Sequence, residues 1–118
     1  MTDDKDDEEF DVDVFDVELK CIEARDCIPK FTNPETRLDA LDEYKRLTSD
    51  AVKEALALSE GIPRDAAIRY IIDLSCEAKD FETADALLTK MVIGGHRQKA
   101  AKTISGARLE AMNEKTAT

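Results

Sequence analysis

Between Ile62 and Gly95 the sequence IPRDAAIRYIIDLSCEAKDFETADALLTKMVIGG carries two apolar patterns of helical period joined by a capping residue. No other stretch specifies its architecture from end to end. Pro63 suits the first turn of a helix, where the missing N–H is not needed. Ile68, Ile71, Ile72 and Leu74 then supply one buried side. Asp80 ends this helix and caps the next. In the second helix Phe81, Ala84, Leu87, Leu88 and Met91 recur at steps of three and four, with Glu82, Asp85 and Lys90 outside. Gly94-Gly95 offers the positive φ that a helix C-terminus commonly takes. The segment predicts an antiparallel helix pair.

Flanking segments extend the pattern. Asn33-Pro34 predicts a helix start, and Leu38, Leu41, Tyr44, Leu47, Ala51, Ala55 and Leu58 follow as a continuous stripe closed by Gly61. Thr48-Ser49-Asp50 offers a second cap midway, so one long helix and two shorter ones both fit. A last helix, roughly 96–113, presents Ala100, Ile104, Ala107 and Ala111, with Gly106 costing about 1 kcal/mol relative to Ala. Gly106 implies either a close backbone approach or a weakly held helix. With two Tyr, four Phe and no Trp, the core must come from Leu, Ile, Val and Ala, which suits packed helices. The expected fold is all-α: a small antiparallel bundle of about four helices with an acidic, extended or partly disordered N-terminal segment. The domain reading is 1–33 acidic tail and extended segment, 34–113 helical domain, and 114–118 disordered C-terminus.

The N-terminal segment is a like-charge run followed by an alternation. Residues 1–26 hold twelve acids against three bases, whereas 81–118 hold four against six. In DVDVFDVELKCI, Val12 and Val14, then Phe15, Val17, Leu19 and Cys21, alternate with charges, with one break in phase. This is strand periodicity with a bulge at Val14-Phe15. A lone strand cannot satisfy its backbone, so the segment pairs with another copy, lies on a partner, or stays a flexible tail. Val12, Phe15, Val17 and Leu19 are the expected partner-binding residues.

The helix pair resembles one repeat of the tetratricopeptide and pentatricopeptide class. The matching residues are Pro63, Ile71-Ile72-Asp73 and Cys76 in the first helix, Phe81-Glu82 and Ala84 across the turn, and Leu87-Leu88, Met91 and Gly95 in the second. The match covers about a third of the chain, and residues 29–61 and 96–118 do not repeat it at a period of 33 to 35. The resemblance implies two antiparallel helices with a possible groove. It does not carry over base-by-base readout of nucleic acid, which depends on successive repeats.

Motifs for chemistry are missing from the sequence. There is no phosphate-binding glycine loop, no nucleophile elbow, no dinucleotide fingerprint and no H-E-x-x-H. Three Cys without C-x-x-C spacing and a single His argue against a disulfide framework and a four-ligand zinc site. Cys76 is expected as a small core residue. No catalytic residue, cofactor or metal is expected. The cluster Gly94-Gly95-His96-Arg97-Gln98-Lys99, continued by Lys102 and Arg108, supports two readings. One is an anion site at a helix start, formed by His96, Arg97, Lys99, Lys102 and Arg108. The other is a set of solvated cations just past the preceding helix, balancing nearby acids. The net charge of -10 disfavours general nucleic-acid or anionic-membrane binding. With no leader pattern and no long apolar run, a soluble, cytoplasmic protein is expected. These features point to a non-catalytic protein-interaction module, an adaptor, assembly chaperone or subunit, whose partner is another protein or a second copy. The alternative is a nucleic-acid-binding accessory protein using the basic last helix.

Overall fold

The computed structural model describes residues 14–117, with side chains through 114. Among the described residues every regular element is helical. Five α-helices follow in order: α1 (Val14–Arg25), α2 (Arg37–Ala57), α3 (Ile62–Glu77), α4 (Phe81–Leu88) and α5 (Gly94–Ala117), with a 3-10 segment, Ile28–Thr32, between the first two.

Residues 14–25 are a helix, not the bulged strand that the alternation suggested. Val14, Val17, Cys21 and Ala24 also fall at steps of three, four and three, and this second period is the one realised. A helix satisfies its own backbone, whereas the lone strand had no partner. Val17, Cys21 and Ala24 are buried against α2 and α3. Lys20 reaches Glu54 of α2 at 2.8 Å, and Arg25 Nε contacts both carboxylate oxygens of Glu77 of α3 at 2.9 Å. The extended segment expected through residue 33 therefore gives way to a helix that shares the core of residues 34–113.

Helix α3 is the centre of the molecule, touching α1, α2, α4 and α5. Its Ile68, Ile71, Ile72 and Leu74 are fully buried, as their spacing predicts. In α2, which is one continuous helix, the buried stripe runs through Ala40, Tyr44, Leu47, Ala51 and Ala55. That phase turns Leu38 to the opposite side, where it is 75% exposed. The start also slips past Asn33-Pro34 to Arg37: Asn33 Oδ1 accepts from Glu35 N at 2.8 Å and holds a turn ahead of the helix. Phe31, from the 3-10 segment, meets Tyr44 edge to face at 5.7 Å.

Backbone conformation and hydrogen bonds close the connections between helices. Gly61, at φ +116°, precedes α3 in a conformation that side chains rarely adopt. Arg64 Nε donates to the Leu58 carbonyl at 3.0 Å across this turn. At the α3–α4 turn, Lys79 N–H donates to Cys76 O and Asp80 N–H to Ser75 O, at 3.1 and 2.7 Å. This is a Schellman closure with Lys79 in the left-handed position at φ 60°, a site usually given to glycine. Asp80 then accepts from Thr83 N at 3.4 Å as the cap of α4 and from the Tyr44 hydroxyl at 3.2 Å. The Thr48 and Ser75 hydroxyls lie near the same phenol and have no hydrogen-bond partner among the described residues. Gly94-Gly95 does not form a left-handed cap: α4 ends at Leu88, and Gly94 opens α5.

Candidate docking surface

Helix α1 has two unlike faces because its apolar residues outnumber the positions that one stripe can hold. Val17 and Cys21 point into the core, and Phe15, Leu19 and Ile22, at steps of four and three, share the opposite side. Phe15 is 60% exposed, Leu19 43% and Ile22 47%. A single exposed apolar side chain is ordinary, but three on consecutive turns of one helix form a stripe. Of the residues expected to bind a partner, Phe15 and Leu19 lie on this stripe, and Val12 falls outside the described residues. Val17 is the exception: with no exposed surface it is a core residue, because the helical period rotates it away from Phe15 and Leu19. Ile22 completes the stripe; strand periodicity hid it, and the step of three from Leu19 reveals it.

The five basic-cluster residues on α5 do not converge. His96 and Lys99 line a cleft of about 410 Å³ between α3 and α5 with Asp65, Arg69, Tyr70 and Asp73. Lys102 lines the neighbouring cleft, where Arg25, Glu77 and Glu110 also lie. Arg97 is exposed, and its N–H closes the first turn on Ile93 O at 2.9 Å. Arg108 turns the other way, bonding Asp85 of α4 and lying 5.3 Å from the Phe81 ring centre. Arg108 thus lies over Phe81 at the start of α4. Burial pushes the Asp73 carboxyl up, against the pull of Arg69 and Arg25.

The donors ahead of α5 are already taken by the protein itself. Asp65, fully buried in the first turn of α3, accepts from Ile93 N at 2.8 Å and from Val92 N at 3.2 and 3.3 Å. A carboxylate at this place satisfies stranded N–H groups and complements the positive end of α5. It had no distinguishing signal in the sequence, since an acid in a first turn is common and its partners lie 27 and 28 residues away.

Burial lifts the three thiols. Cys21 is pushed up to about 12, and Cys27 and Cys76 rise as well. Cys76 is half-buried against the core rather than inside it. Among the described residues no group of three His, Cys, Asp or Glu side chains is placed to hold a metal, and no helix is long and apolar enough to cross a membrane. The sequence matches no family model, and no curated protein or solved structure matches it.

Proposed function

We propose that this chain is a non-catalytic protein-interaction module, an adaptor, assembly chaperone or subunit of a larger complex, and that it binds through the outer face of α1. The observation that carries the reading is the stripe of Phe15, Leu19 and Ile22 on a helix whose other face is anchored in the core. Such a face is rigidly presented, so a partner loses little entropy in ordering it. The order of contacts supports a further part of the reading, a short stack of helical hairpins. Helix α1 lies on α2 and α3, α3 on α4 and α5, and α4 on α5. This is the succession in which neighbouring hairpins of repeat proteins pack. The proposed setting is the cytoplasm, a reducing compartment suited to three free thiols.

Site-directed photo-crosslinking in the source cells tests the reading. A photoreactive residue at position 22 should give a discrete adduct, and one at position 38, which is more exposed, should give none. Equal adducts from both positions, or none from position 22, would refute docking through α1.

A further inference from the structure

We propose that the partner seated on α1 is a basic amphipathic helix. This rests on the docking reading above and adds the chemistry of the occupant. The two cations of α1 are both committed within the molecule, Lys20 to Glu54 at 2.8 Å and Arg25 to Glu77 at 2.9 Å. Glu18, Glu23 and Asp26 form no ion pair among the described residues; at 100° per residue Glu18 and Glu23 flank the line of Leu19 and Ile22, and Asp26 follows just past the end of the helix. The stripe therefore has an apolar middle and an acidic rim; α1 has no free cation of its own, and Arg46 of α2, within electrostatic reach of Glu23, is bridged to Glu43 at 2.7 Å.

Charge decides among occupants. A second copy presenting the same face would set carboxylates against carboxylates, which costs binding energy even at a solvated rim. A helix with Lys or Arg beside its apolar residues instead places opposite charges on both sides of the seam. The chain's net charge of -10 draws such a partner in and speeds its encounter. The stripe from Phe15 to Ile22 spans about 10 Å, two helical turns, and matches anchors at i, i+3 or i+4, and i+7 on the partner. A contact of that length belongs with small, exchangeable interfaces.

Fluorescence anisotropy on the full chain tests this with labelled 18-residue peptides. The probe carries Leu at i, i+3, i+4 and i+7 with Lys flanks. One control has the same composition permuted to break the face, and another keeps the Leu face with Glu flanks. The Lys-flanked probe should bind 1:1 and at least ten-fold tighter than either control. Leu19→Gln/Ile22→Gln, chosen because Gln favours helix, should weaken it ten-fold or more. Glu18→Gln/Glu23→Gln/Asp26→Asn should flatten the loss of affinity between 50 and 300 mM salt. Equal binding of the permuted peptide, or indifference to Leu19→Gln/Ile22→Gln, would overturn the proposal as mere charge attraction. Equal binding of the Glu-flanked peptide overturns the partner's chemistry while leaving the docking surface standing. No binding by the Lys-flanked probe overturns the proposal as well. A dimer in sedimentation that Leu19→Gln/Ile22→Gln disperses would identify a second copy as the occupant and also overturn it. Failure of the position-22 crosslink, by contrast, removes the docking reading itself.

Discussion

Replacing Asp65 should destabilise the protein more than any other single polar substitution considered below. Its carboxylate is fully buried and holds the 91–93 connection through Ile93 N at 2.8 Å and Val92 N at 3.2 Å. Hydrogen bonds to a charged group contribute about 1.5–3 kcal/mol each, and the positive end of α5 adds about 0.3–1 kcal/mol. Asp65→Asn keeps the shape but puts an NH₂ where one acceptor stood, so the expected loss is about 2–3 kcal/mol. Asp65→Ala strands both donors, and about 3–5 kcal/mol should be lost. Against a typical domain stability of about 5–15 kcal/mol, the second change approaches unfolding. The assay is urea denaturation at pH 7 followed by far-UV circular dichroism. With a slope of about 1.3 kcal/mol per molar, Asp65→Asn should lower the midpoint by about 2 M at unchanged slope. Hydrogen exchange at Val92 and Ile93 should accelerate in parallel. Asp39→Asn, on an exposed position in the first turn of α2, serves as the control; it forgoes only the helix-end contribution and should shift the midpoint by under about 0.8 M. If Asp65→Asn moved the midpoint no more than Asp39→Asn, the assignment of Asp65 as the clasp on α5 would be wrong.

Four further outcomes follow from the packing. Gly106→Ala should raise stability by about 1 kcal/mol, because a Cβ at this exposed helical position meets nothing within 4 Å; calorimetry should show a higher Tm. Lys79→Gly should add up to about 1 kcal/mol by relieving the left-handed backbone at φ 60°, partly offset by the loss of its 2.6 Å bridge to Glu114; urea midpoints would show it. Stability should fall with alkalinity, because Cys21 ionises in the unfolded chain near its ordinary value of 9.0 but in the fold only at about 12. The stabilisation is complete below pH 9 and is lost as pH rises toward 12, at up to about 1.4 kcal/mol per pH unit, and Cys21→Ala should flatten that slope in denaturation curves. Val17→Ser should cost about 2 kcal/mol or more while Leu19→Gln costs under about 0.5 kcal/mol, a contrast read from paired urea curves.

Legibility of the fold in the sequence followed how many constraints coincided at each element. For α3 and α4, Pro63, the isoleucines and Asp80 all specify one arrangement, and the two helices lie where those residues place them. For α1, Val14, Val17, Leu19 and Cys21 fit a period of two nearly as well as a helical one. Only the availability of α2 and α3 as a surface for Val17 and Cys21 separates the two. Leu38 shows the same dependence on phase, since its place in the stripe turned on whether Ala40 or Leu41 faced inward. Phe15 and Leu19 stood out in the sequence as apolar residues alternating with charges and so as partner-binding residues, but not Ile22, whose membership depends on helical geometry. Asp65 was beyond reach, because its role is a long-range contact to backbone groups that no residue type marks. The basic cluster was legible as charge alone. Its separation into His96, Lys99 and Lys102 facing α3, and Arg108 held by Asp85, follows from the rotation of α5.

Native-state hydrogen exchange across Val14–Arg25 tests most directly the claim on which the docking reading depends, that α1 is a core helix presenting its outer face. The amides around Val17, Cys21 and Ala24 should exchange with the protection of the global unfolding reaction, alongside those of Ile68 to Ile72. Exchange of this segment at the rate of an unstructured chain, while α3 stays protected, would contradict it.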